Sequence, residues 1–307
     1  MSRKLVLCVI AAVAAVLCLA LPSGAAAAAK KGRCTITGTD GNDVLYGTDG
    51  PDVICGLGGD DIIYAGGGND EIQDGPGNDV IHGGDGCDVF RGGPGNDTMY
   101  ADTSDGTCIE RLNGNGGDDK LYGGTGQDDL SGGSGNNELW GGGGDRDWVD
   151  YSCHVNDMTI TLGGQGVDPT FNSGDGGIGS NDILHDDIEN VLGSKGNDVI
   201  TGTDVKNYLN GGPGGNDVIN GMGGDDVLQG GYWENKPANC AFSPTNTNAD
   251  ADVLNGGDGK DIANYRGRGN IVAVIGGGPV SGDPSIGEHD TIAADIETVL
   301  GVPGGKR

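Results

Sequence analysis

Large apolar side chains are scarce in this chain: aromatic residues fill 5% of its 307 positions, with three phenylalanines and three tryptophans. That excludes a fold resting on a broad, side-chain-filled core, because aromatic residues dominate the energetics of such cores. Cations are scarce as well. Seventeen Lys and Arg stand against 46 Asp and Glu, a formal net charge of −29, and a nucleic-acid partner is excluded because a polyanion requires opposite charge on the protein. Eleven prolines accompany 66 glycines that keep no strict third-residue period, which rules out a collagen-type triple helix.

Motifs for catalysis are missing too. No GxxxxGK[ST] phosphate loop occurs, since Gly259 and Lys260 are followed by Asp261. Neither HExxH nor GxSxG is present, and His82, His154, His185 and His289 share no close metal spacing. Asn248, Asp250 and Asp252 open like an EF-hand loop, but Val253 stands in the obligatory glycine place and Gly259 in that of the closing acid. The sequence therefore offers an enzyme no residues to rest on. No cysteine pair has CxxC spacing, which removes support for a zinc or redox site.

Residues 1–29 carry Arg3 and Lys4, an apolar run from Leu5 to Leu21, and small residues at Ala27, Ala28 and Ala29. This is the pattern of a secretory signal peptide, too short in its apolar part for a membrane span, so a secreted, extracellular protein with no span after cleavage is expected. Without Arg3 and Lys4, 15 cations face 46 acids, a net charge of −31. Cys8 and Cys18 fall in that segment, leaving Cys34, Cys55, Cys87, Cys108, Cys153 and Cys240. An even six in an oxidising compartment predicts three disulfides; pairing sequence neighbours is one of fifteen connectivities.

What the chain has in abundance is a period of nine. From residue 38 it reads GTDGNDVLY, GTDGPDVIC, GLGGDDIIY, AGGGNDEIQ, DGPGNDVIH, GGDGCDVFR and GGPGNDTMY without a gap to Tyr100. Aspartate fills every sixth place (Asp43, Asp52, Asp61, Asp70, Asp79, Asp88, Asp97) and an apolar residue every eighth (Leu45, Ile54, Ile63, Ile72, Ile81, Phe90, Met99). After an insertion at 101–113 the pattern resumes with Asp119 and Asp128, then Asn137. A second block from Gly193 carries Asp198, Asp217, Asp226, Asp252 and Asp261, with Asn207 as a departure and an insertion at 232–251.

Between and after the blocks lies a duplicated module, in which NDILHDDIENVLG and HDTIAADIETVLG match and RDWVDYS and KDIANYR open the two copies. The expected organisation is a first block at 30–144, a non-repeat β module at 145–192, a second block at 193–259, and a second module at 260–307 as C-terminal cap. Alternation in MTITL and IVAVI predicts strands within the modules, with edges that close the ends of the repeat stacks.

Six glycine-rich residues followed by three with an inward apolar side chain describe a tight turn and a very short strand. Stacked strands lie about 4.8 Å apart, so sixth-place carboxylates that point alike repel by about 0.9 kcal/mol in water and about 3.5 at an effective dielectric of 20. Cations between them would relieve this. Calcium, which accepts six to eight oxygens in flexible geometry, suits turns offering only carboxylates and carbonyls.

GGPGNDTMY at 92–100 fits every fixed place of the Gly-Gly-x-Gly-x-Asp-x-apolar-x pattern, and the chain closely resembles the RTX, or haemolysin-type, calcium-binding repeat family. The resemblance implies an all-β, right-handed parallel β-roll with several Ca2+ ions held between adjacent turns by aspartate and backbone carbonyls. It marks as ligands Asp43, Asp52, Asp61, Asp70, Asp79, Asp88, Asp97, Asp119, Asp128, Asp198, Asp217, Asp226, Asp252 and Asp261. The function expected is a non-enzymatic, secreted calcium-binding protein that folds or stiffens on binding. The rivals are a rod that contacts cell-surface or extracellular-matrix components and, with less support, a hydrolase or epimerase of the kind such repeats accompany.

Overall fold

A computed structural model describes residues 34–103, 109–163, 182–231, 251–265 and 290–300. The expected signal peptide, Cys108, Cys240, Trp233, the IVAVI segment and nearly all of the insertion at 232–251 lie outside the described residues. All 24 elements among those described are strands, and the fold is a parallel β-roll.

The eighth place of each unit faces the core, and the glycine-rich six before the strand reverse the chain, so each unit supplies one short strand and one turn. Two units close a coil. Strands therefore pair in parallel with those two units on: Val44–Tyr46 meets Ile62–Gly67 with Leu45 beside Ile63, and Val53–Cys55 meets Glu71–Gln73 with Ile54 beside Ile72. Alternate units thus build opposite faces of the roll. One face is a sheet of 12 strands from Ile36–Thr37 to Ile296–Leu300; the other is divided into sheets of seven and five.

The core is the column of eighth-place side chains these registers impose. Ile54, Ile72, Phe90, Leu112, Leu130 and Val149 continue through Val191, Leu209 and Leu228 on the long sheet. Ile63, Ile81, Met99, Leu121, Leu139 and Leu184 face them. All are at most 1% exposed. This narrow core is what a chain poor in aromatics can fill.

Modules whose edges close the ends of the repeat stacks are the expectation; on the long sheet the first module instead carries the ladder onward. Trp148–Asp150 and Asn190–Leu192 of the first module pair with each other, with Gln127–Ser131 of the first block, and with Tyr208–Asn210 of the second. Val149 and Val191 keep the buried place, so the ladder passes through. On the opposite face the first module does end the seven-stranded sheet at Ile183–Leu184. There the chain runs out of order: Thr159–Thr161, earlier in sequence, opens the next sheet against Val199–Thr201.

Cys34 and Cys55 form a disulfide with Cα atoms 5.9 Å apart, tying the segment before the repeats to the end of the second repeat unit, as the neighbour pairing predicts. Cys87 and Cys153 are also disulfide-bonded; the partners expected for them lie outside the described residues. Ninth-place rings of alternate units form a stack that the nine-residue pattern alone does not announce. Tyr46, Tyr64, His82, Tyr100, Tyr122, Trp140 and His185 follow one another with centroids 5.4 to 4.2 Å apart and planes within 16°.

Candidate metal centre

Each sixth-place aspartate is fixed by its backbone. The Asp61 N–H donates to Oδ1 of Asp79 at 2.7 Å, while the Asp61 carbonyl accepts from the Val80 N–H at 3.0 Å. The same N–H to Oδ1 link joins Asp43 to Asp61, Asp52 to Asp70, Asp70 to Asp88, Asp79 to Asp97, and Asp97 to Asp119. In the second block it joins Asp198 to Asp217, Asp217 to Asp252, and Asp226 to Asp261. The structure thus draws the predicted aspartates into ladders along the turns, and one carboxylate oxygen of each later member is spent on the preceding coil.

The fate of the second oxygen separates two kinds of turn. Where the second place is Thr or Ser, the turn satisfies it: Thr39 donates its N–H and hydroxyl to Asp43 Oδ2 at 2.6 and 2.8 Å, and Thr48 does the same for Asp52 at 2.8 Å each. Ser194 binds both oxygens of Asp198, at 2.6 and 2.8 Å. Where the second place is Gly66, Gly75, Gly84, Gly93, Gly124 or Gly257, or the non-glycines Leu57, Asn115 and Met222, its φ is positive. That backbone turns no hydroxyl toward the carboxylate. Oδ2 of Asp61, Asp70, Asp79, Asp88, Asp97, Asp119, Asp128, Asp226 and Asp261 is then buried without a hydrogen-bond partner.

Buried carboxylates left this way resist ionisation. Burial, reinforced by adjacent carboxylates, pushes Asp97 and Asp128 up to about 8 and Asp119 and Asp226 to about 7. Asp61 and Asp70 are raised for the same reason. Asp52 moves the other way, held below the usual carboxylate range chiefly by the Thr48 hydroxyl. At neutral pH the turns of Asp97, Asp119, Asp128 and Asp226 therefore favour a proton or a cation beside the carboxylate.

The space beside the first-place glycine is shaped for the cation. A methyl group built on Gly123 would stand 2.5 Å from both Asp128 Oδ2 and the Gly141 carbonyl oxygen; one on Gly83 would stand 2.5 Å from Asp88 Oδ2 and 3.0 Å from the Ala101 carbonyl oxygen, with the Phe90 ring 2.7 Å away on the core side. An unsatisfied carboxylate oxygen and a carbonyl from the next coil thus converge on one gap. An all-oxygen set with spare lone pairs fits calcium.

The two asparagine departures need no cation. Asn207 Oδ1 accepts from Thr203 N–H at 2.7 Å, and its amide donates to the Glu189 carbonyl at 2.8 Å. Asn137 donates to Asp182 Oδ1 at 2.9 Å, with the Tyr151 hydroxyl on the other Asp182 oxygen at 2.9 Å. Tyr265 and Asp290 repeat that last bond at 2.9 Å in the second module. The shared Tyr and Asp of the duplicated modules thus end the carboxylate ladders with a hydroxyl.

Several ladder members lie outside the set the repeat pattern predicts. Asp147 receives the Asp128 N–H at 3.0 Å and leaves Oδ2 unsatisfied; one extra residue in GGGGDRDWV displaces it from the sixth place. Glu110, with both oxygens unsatisfied, pairs in register with Asp128 from inside the first insertion. Asp182 and Asp290 precede an x-apolar pair as the repeat requires; the GGIG run before Asp182 stands one residue early, and Asp290 has no such run before it. Asp74 occupies a first place, where glycine is the rule.

Replacing Thr48 with glycine is expected to convert one kind of turn into the other. Stability of the metal-free protein falls by about 1 kcal/mol, the net value of a hydrogen bond, while one further calcium is bound through Asp52. Equilibrium dialysis beside chemical denaturation reads both, and an unchanged calcium count refutes the distinction.

Comparison with known proteins matches the RTX calcium-binding nonapeptide repeat at residues 37–72, 66–99, 73–107, 113–146, 185–214, 203–231 and 246–265, together more than half of the chain. No match is found among curated proteins.

Proposed function

Because the chain belongs to the family of the RTX calcium-binding nonapeptide repeat, we propose that it is a secreted, non-enzymatic calcium-binding protein whose roll is completed by the metal. The observation that carries this reading is the row of buried carboxylate oxygens with no hydrogen-bond partner, which at Asp61, Asp88, Asp119, Asp128 and Asp226 stand beside a carbonyl of the next coil. The ligands proposed are Asp61, Asp70, Asp79, Asp88, Asp97, Asp119, Asp128, Asp217, Asp226, Asp252 and Asp261, joined by Asp147 and Glu110. Asp43, Asp52 and Asp198 are held by their own turns and contribute less. Calcium supplies the positive charge that lets these acids be ionised and close together. The chain supplies the carboxylate oxygens, the carbonyls and the glycines that leave room between them.

Extracellular calcium modules bind at about 10⁻⁴ to 10⁻³ M, so the roll would assemble where calcium is plentiful and stay open inside the cell. Titration of the mature protein across millimolar calcium, followed by circular dichroism and bound-metal count, is expected to show β signal rising with occupancy. A flat signal defeats the proposal. A second reading, a rod that contacts a cell surface or matrix, draws on exposed Val44, Tyr46, Ile62 and Tyr64 at the start of one sheet. Calcium-dependent retention on cell fractions, abolished by chelator, distinguishes it from a free calcium protein.

A further inference from the structure

Asp74 is the acidic exception among the first places of the first block, which are otherwise glycine or alanine. It is 2% exposed, and neither carboxylate oxygen has a hydrogen-bond partner. The carboxylate lies in the gap beside Gly56, against Asp61 Oδ2, where the other turns leave space. Asp61, Asp74 and Asp79, all buried, each bring one oxygen within 4.8 Å of the others. Calcium to oxygen distances of about 2.3 to 2.6 Å allow two ligands on one ion to stand up to about 5 Å apart, so a single ion can touch all three.

We infer that Asp74 is a third carboxylate ligand in the turn between Asp61 and Asp79, and makes this the site of highest charge and the first to fill. The inference rests on the calcium reading of the ladder and adds to it a ligand outside the sixth place. The gap beside Gly123 has Asp128 Oδ2 and a carbonyl on its rim; the gap beside Gly56 has Asp61 Oδ2, a carbonyl and the Asp74 carboxylate as well. Affinity for hard cations follows ligand charge, so the site prefers a multivalent cation, and a trivalent one more strongly than its neighbours do. The competing account is a buried, protonated Asp74 that never meets a metal.

The experiment compares wild type, Asp74→Gly and Asp74→Asn as full mature chains, by calcium calorimetry with equilibrium-dialysis counts at pH 7.5 and by terbium luminescence. Asp74→Gly restores the residue other turns carry, and Asp74→Asn keeps the shape without the charge. The tightest calcium class is expected to weaken by about tenfold or more in both variants, terbium emission at low occupancy to fall with it, and the remaining sites to be unchanged. Should Asp74→Gly fail to give the wild-type circular dichroism in saturating calcium, Asp74→Asn decides. Superimposable isotherms overturn the inference and leave the calcium reading standing. A wild-type protein that binds no calcium overturns both.

Discussion

Chelating calcium at pH 8 is expected to unfold most of the roll, and bringing the chelated protein to pH 5 is expected to restore much of its β signal. Burial raises Asp97 and Asp128 to about 8 and Asp119, Asp147 and Asp226 to about 7, against about 3.9 for an unfolded aspartate. Between those limits the metal-free folded state binds more protons than the unfolded chain, so its stability falls as pH rises through the folded values. Stability is greatest below the unfolded pKa and is lost progressively as pH rises from about 4 to about 8. Every tenfold weakening of an acid on folding corresponds to about 1.4 kcal/mol, and many groups act together. With calcium bound the acids stay ionised and the dependence flattens. Circular dichroism at both pH values, with and without chelator, checks all four states; full β signal at pH 8 in chelator contradicts the account.

Replacing Gly117 with alanine is expected to cost about 3 kcal/mol or more in saturating calcium, whereas Gly50→Ala stays within about 0.5 kcal/mol. Both glycines hold the fourth place of a turn. Gly117 has φ of +133°, and a Cβ there would run into the carbonyl of Gly95 in the coil beneath. Gly50 lies in the first coil, and a Cβ there meets nothing within 4 Å. Steric overlap forces the stacked turns apart, so the link from Asp97 to Asp119, 2.8 Å long, is strained with it. Denaturation of the two variants beside wild type reads the difference. Equal losses would mean that the stacking distance between turns is not what demands glycine.

The sixth-place ladder and the eighth-place core are legible in the sequence because both follow from a strict period: Asp61 and Ile63 recur as Asp79 and Ile81, and the backbone has only to repeat itself. Less legible is anything that depends on what a turn does with its atoms. Thr48 and Gly66 occupy the same place, yet only the sign of φ and the direction of a hydroxyl reveal that one satisfies its aspartate and the other does not. Asp147 is hidden by a one-residue shift and Asp74 by standing where acids are not sought. The continuous long sheet is hidden for a different reason. Whether Val149 pairs onward with Val191 or ends a roll is decided by contacts across 42 residues, which local pattern does not encode. The early placement of Thr159–Thr161 is a non-local choice of the same kind.

The stacked rings from Tyr46 to His185 have an optical consequence. Neighbouring planes within 16° and centroids near 5 Å couple the transition dipoles of the tyrosines, and Trp140, with the lowest-lying excited state in the row, collects what they absorb. Transfer from the phenol rings to the indole weakens as the coils separate and the rings move apart. The protein thus carries its own fluorescent gauge of assembly along one face.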